Sequence, residues 1–114
     1  MKEILLNRTK GLALTIIYLI EKLPKNMVAS VVGKQIVRSG TSVGANYRAA
    51  CRGKSKADFI NKLKIVEEEL DETIYWLEII IEAGLLKQEV IIPIKKEAIE
   101  LISIFVATLK TAKL

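Results

Sequence analysis

Three groups of side chains in this sequence have types and spacings that chemistry uses. They are the hydroxyls of Ser39, Thr41 and Ser42, the carboxylates of Glu67, Glu68, Glu69, Asp71 and Glu72, and a basic stripe running from Lys34 to Lys56. A hydroxyl needs a base of suitable pKa to become a nucleophile, and the 114 residues include no histidine. That absence removes Ser-His-Asp and Cys-His catalysis, the usual zinc sites, and the Glu-x-x-His pairs of di-iron bundles. Ser39, Thr41 and Ser42 therefore read as small packing and backbone-bonding residues. No catalytic residue, metal or cofactor is assigned, and no enzymatic activity is expected. The single cysteine, Cys51, has no partner for an internal disulfide and no histidine to generate its thiolate, so it reads as a packed residue in a reducing compartment, the cytoplasm. Glu68 and Glu72, like Glu67 and Asp71, stand four apart on a helical face and could hold a hard cation such as Mg²⁺. Runs of this kind are more usually solvated or salt-bridged.

The basic residues carry more. Lys34, Arg38, Thr41, Arg48 and Arg52 fall along one helical stripe, with Tyr47 beside it and Lys54 and Lys56 just beyond its end. Cations so spaced can neutralise successive phosphates, and a tyrosine can stack on an unpaired base. A second reading pairs Arg38, Arg48 and Arg52 with the acidic run Glu67 to Glu72, within or between subunits. The two are partly compatible, because Lys54, Lys56, Lys62 and Lys64 would stay free. The net charge of +5 hides a segregation: residues 25–64 hold nine basic side chains against Asp58 alone, and residues 65–89 hold eight acids against Lys87 alone. Such asymmetry suits a polyanion-facing surface or complementary faces between subunits.

The elements that must position these groups are helices. Leu5, Leu12, Leu14, Ile16, Ile17, Leu19, Ile20 and Leu23 recur at helical spacing and predict a first helix over 5–23, stopped by Leu23-Pro24. Pro24 is expected to open the second helix, over 25–52, since its missing N–H costs nothing in a first turn. Val32, Ile36, Ser39, Val43, Asn46 and Ala50 alternate at four and three, a seam that runs unbroken through Gly40. Its small residues would let a neighbouring helix approach closely. Asn46 is expected to be buried there, setting register. Gly53 fits the left-handed position that ends helices. Ser55 to Asp58 reads as a capping box, with the aspartate reaching back.

A third helix over 55–83 carries Phe59, Leu63, Val66, Leu70, Thr73 or Ile74, Leu77, and Ile80 or Ile81, and stops at Ala83-Gly84. A fourth, over 88–112, has Pro93 near its start and Ile94, Ala98, Leu101, Phe105, Leu109 and Ala112 on its seam. Short connections make these an all-α, antiparallel, up-down-up-down four-helix bundle forming one domain over 1–114. No apolar run approaches the roughly 20 residues of a membrane span, and the N-terminus lacks the pattern of a signal peptide. Helices one, three and four are more apolar than a monomer of this size needs, which predicts a homo-oligomer. Tyr75, Trp76, Ile99, Ile102 and Val106 are the candidate interface residues.

The runs Gln35-Ile36-Val37-Arg38-Ser39, Ser42 to Ala50, Ser55-Lys56-Ala57-Asp58-Phe59 and Glu67 to Glu72 together resemble the four-helix-bundle proteins of the 23S rRNA-intervening-sequence type. The resemblance covers essentially the whole chain in length and helix order. It implies a bacterial cytoplasmic protein forming a cyclic homo-oligomer, commonly a pentamer. A related branch serves as accessory protein to the reverse transcriptase of diversity-generating retroelements, which implies RNA, DNA or such an enzyme as a partner. Where many members carry a glutamate before Gly or Ala in helix two, this chain has Arg48-Ala49-Ala50 and is more basic.

Overall fold

Burying four apolar helical stripes at once leaves each helix two neighbours and a shared centre. The computed structural model describes all residues, Met1–Leu114, and contains four helices: α1 (Lys2–Ile20), α2 (Met27–Cys51), α3 (Lys56–Glu82) and α4 (Gln88–Ala112). Each packs antiparallel on its neighbour in the chain, and α4 returns beside α1 along the sparsest of the four seams. The molecule measures 45 × 20 × 20 Å. That length is set by helices of 25 to 27 residues at about 1.5 Å of rise each.

α2 runs unbroken through Gly40, as the seam predicted. The physical reason is the approach of α1. The place a Cβ would occupy on Gly40 is taken by Ile16 Cδ1, and that on Gly44 lies 3.3 Å from the backbone of Thr9. On the other flank of α2, Ser39 is fully buried, and its hydroxyl sits 2.9 Å from that of Thr73 on α3. Thr73 also bonds the Glu69 carbonyl, so this buried polar pair is satisfied. Thr73 and Ile80, not Ile74 and Ile81, complete the buried seam of α3, while Ile91, Ile94, Ala98, Leu101, Phe105 and Leu109 form that of α4.

Five local expectations are corrected. α1 ends at Ile20, and the N–H groups of Lys22 and Leu23 tighten onto Leu19 and Ile20 in a short turn. Pro24 stays in that turn and does not open α2. Asn26 caps the helix instead, its Oδ1 accepting from Ala29 N at 2.8 Å, a bond proline cannot offer.

Gly53 is not left-handed. It is small because a Cβ would press on Ala50 O at 3.0 Å and on Asp58 Oδ2 at 3.2 Å. Ser55 does accept from Asp58 N, but Asp58 reaches past Ser55 to the N–H of Lys54. The left-handed residue is Gly84 (φ 68°), where Leu85 N bonds Ile80 O and Gly84 N bonds Ile81 O, the paired closure that ends α3.

The last correction is in the α2 seam. Tyr47, not Asn46, is buried, because a straight helix of 3.6 residues per turn drifts away from a strict heptad over its length. Asn46 is half-buried and bonds Ser42 O and Oγ at 2.9 and 2.8 Å.

These contacts make the α2 glycines unequal to Gly11, which is helical, exposed and free of neighbours. Gly40→Leu is expected to displace Ile16 and destabilise the fold by about 1–3 kcal/mol. Gly11→Ala is expected to stabilise it by about 0.5–1 kcal/mol. Urea unfolding of both variants beside the wild type checks the pair.

Candidate nucleic-acid interface

α2 and α3 are antiparallel about the turn at Gly53, so Arg38 lies level with Glu69 and Glu72. Its guanidinium bonds Glu69 Oε2 at 3.0 Å and closes on Glu72 Oε2. Trp76 Nε1 donates to the same Glu72 oxygen at 3.0 Å. The two carboxylates push the Arg38 pKa up, Glu72 contributing most. The Trp76 N–H and then Arg38 hold the Glu72 carboxyl below the usual carboxylate range. In the structure, then, Arg38 is paired with carboxylates of its own chain.

Arg48 and Arg52 behave differently. They lie on the α1 side of the stripe and make no ion pair with any carboxylate of the chain. Together with Lys2 and Lys10 of α1 they line an open cleft of about 510 Å³, whose one acidic residue is Glu3. The final turn of α2 favours cations in any case, because its carbonyls leave partial negative charge there. Lys54 is exposed on the following turn and Lys56 at the first residue of α3. Lys34 is exposed near the other end of α2, where it borders a separate groove with Lys25 and Arg38. Lys2 and Lys10 did not stand out in the sequence, because only the antiparallel packing of α1 on α2 sets them beside Arg52 and Arg48.

Tyr47 is the clear correction among the candidates. It is 5% exposed, and its ring meets Phe105 edge-on with centroids 5.1 Å apart, so it offers no face to a base. Burial also pushes its phenol pKa well up. Adjacent residues on a helix point about 100° apart, which turns Tyr47 into the core as Arg48 faces water.

The hydroxyls singled out in α2 are engaged locally. Thr41 donates to Val37 O at 2.7 Å, Ser42 Oγ accepts from Asn46, and Ser39 is held by Thr73. Among the interface candidates, Tyr75 is 52% and Ile99 45% exposed, and Ile102 and Val106 are half-buried. Lys95 pairs with Glu78 at 3.1 Å between α3 and α4. Trp76 is half-buried against the core, its Nε1 bonded to Glu72 and its ring edge-on to that of Tyr75 with centroids 5.0 Å apart.

One strong pair escaped sequence reading. Arg8 grips Glu97 at 2.7 Å and Glu100 at 2.9 Å, bridging the loose α1–α4 seam. Both carboxylates push its pKa up. The signal lay in topology alone, since 89 residues separate Arg8 from Glu97.

The depressed Glu72 pKa has a definite pH consequence. A carboxyl held low in the fold contributes stability above its unfolded-state pKa and loses it as pH falls through the folded value. Glu72→Gln is therefore expected to destabilise by no more than about 1 kcal/mol at neutral pH, the pair being partly solvated. That difference from wild type should vanish in acid below the folded Glu72 pKa. Parallel urea titrations at the two pH values measure it.

Residues 2–107 match the family described as 23S rRNA-intervening sequence protein. The fold is similar to a crystal structure of a protein of unknown function from the S23 ribosomal protein family of Bacteroides thetaiotaomicron VPI-5482. The two are 37% identical over 96% of this chain and 99% of that one, with a TM-score of 0.89. No curated protein matches at a comparable level. No helix is long and apolar enough to cross a membrane. With the family match spanning nearly its full length and the four-helix architecture shared, the chain belongs to the 23S rRNA-intervening sequence protein family.

Proposed function

We propose that this protein is a non-enzymatic, homo-oligomeric bundle that docks single-stranded nucleic acid, alone or with a nucleic-acid enzyme, through the basic surface of α2 and the turn after it. The observation that carries this reading is the division of the stripe. Arg38 is consumed by Glu69 and Glu72, while Lys34, Arg48, Arg52, Lys54 and Lys56 have no carboxylate partner in the chain. Arg48 and Arg52 face α1, where Glu3 is the only carboxylate lining their cleft, so the positive potential of that edge is left open to an external anion. The rRNA-related description of the family and the ribosomal-protein name of the similar structure are consistent with an RNA ligand.

Self-association is part of the same reading. Leu14, Ile17 and Tyr18 on the outer face of α1, and Tyr75 with Ile99 on α3 and α4, leave large apolar side chains exposed on a small protein. A second copy burying them suits a ring whose basic and acidic flanks alternate. Static light scattering at micromolar concentration is expected to give a mass several times that of the 12.7 kDa chain. A monodisperse monomer would remove this part of the proposal.

Binding is expected to be sub-millimolar for unpaired RNA at low salt. It should weaken by roughly two orders of magnitude between about 50 and 200 mM salt if five cations engage phosphates. Fluorescence anisotropy with single-stranded and hairpin RNA measures this, and Lys54→Ala/Lys56→Ala should lower affinity with the oligomer intact. No binding even at low salt would sink the nucleic-acid reading and leave a protein-binding scaffold.

A further inference from the structure

The cleft between α1 and α2 has a composition that narrows what it can recognise. Four cations, Lys2, Lys10, Arg48 and Arg52, face it, against the single carboxylate of Glu3. The α1 N-terminus opens on the same cleft. Met1 provides no side-chain cap there, so the first N–H groups of the helix add partial positive charge. The remaining lining of the cleft is small, polar or aliphatic, including Leu6, Asn7, Thr41 and Gly44, and no aromatic ring lines it. The one aromatic residue near the stripe, Tyr47, is packed on Phe105 in the core.

A surface that recognises unpaired bases normally supplies stacking faces, each worth about 1–3 kcal/mol per base. This cleft supplies none. Its cations are distributed along α1 from Lys2 to Lys10, about 12 Å of helix. That length suits a short run of consecutive phosphates better than one phosphate.

We infer that the α1–α2 cleft is a phosphate-chain site. It grips a run of linked phosphates by charge alone, indifferent to base identity, with Lys2 and Lys10 of α1 acting jointly with Arg48 and Arg52 of α2. The inference rests on the nucleic-acid reading above and deepens it by naming the ligand chemistry and two residues outside the α2 stripe. The backbone of an unpaired strand and inorganic polyphosphate share that chemistry.

The test compares fluorescent oligo-U and oligo-C of equal length, with inorganic polyphosphate as competitor, on wild type, Lys2→Gln/Lys10→Gln and Arg48→Gln/Arg52→Gln. Lys87→Gln/Lys96→Gln, which removes the same charge from exposed positions around α4, is the matched control. Every substituted side chain is exposed, and circular dichroism with light scattering verifies that fold and assembly are retained.

The two homopolymers are expected to bind within about threefold of each other, and polyphosphate is expected to displace both. Each cleft double variant should lower the salt slope by about 1.4, at about 0.7 for each single-strand phosphate no longer neutralised. The control should leave the slope unchanged. A strong preference between the homopolymers, failure of polyphosphate to compete, or equal losses in cleft and control variants would each overturn the phosphate-only cleft while leaving nucleic-acid binding standing. If no oligonucleotide binds but polyphosphate does, in a cleft-dependent way, the nucleic-acid reading fails and the cleft retains a free phosphate chain as its ligand. Absence of binding by both removes both.

Discussion

The structure depends on how closely α2 can be approached from both sides. On one flank Gly40 and Gly44 let α1 come down until Ile16 fills the space of a missing side chain and Thr9 rests on the α2 backbone. On the other flank Ser39 meets Thr73 of α3 through a single shared hydrogen bond with no room for a larger group. Close-packed interiors tolerate little change in volume, so these small residues set where α1 and α3 lie. The rest of the core follows from that, including the Tyr47–Phe105 contact between α2 and α4.

That same placement distributes the charge. With α3 held at Ser39, the neighbouring Arg38 is brought within reach of Glu69 and Glu72, and Trp76 fixes the second carboxylate from below. With α1 held at Gly44, Lys2 and Lys10 face Arg48 and Arg52 across an open cleft with little acidic relief. One basic helix thus has a neutralised edge and an unneutralised edge. The difference comes from which partner helix each edge meets, and a stripe defined on α2 alone does not contain it.

Where sequence reading succeeded and where it slipped have physical causes. The four helices, the continuity of α2 through Gly40 and the closure at Gly84 were legible because each repeats or punctuates a strong local signal. Pro24 misled because it is an acceptable first-turn residue, yet Asn26 two residues on could satisfy a helix N–H and proline could not. Gly53 misled because two needs, a left-handed backbone and a crowded Cβ position, select the same residue. Asn46 and Tyr47 exchanged places because a heptad template ignores the drift of a straight helix, and that one-residue slip moved a supposed stacking ring into the core.

Apolar periodicity and breakers were enough by themselves to determine an all-helical bundle and its helix order, and the residue runs of α2 and α3 its family resemblance. These are properties of the chain read along its own length, where each residue's neighbours are known. Whether an arginine meets a carboxylate or stays open was decided only in three dimensions. Arg38, Arg48 and Arg52 share a helix and a charge, but their partners come from α3 and α1, and Arg8 finds Glu97 only because α4 returns beside α1. Long-range packing selects among ion pairs that the sequence leaves equally available, since the Coulomb term depends on distances no local pattern encodes.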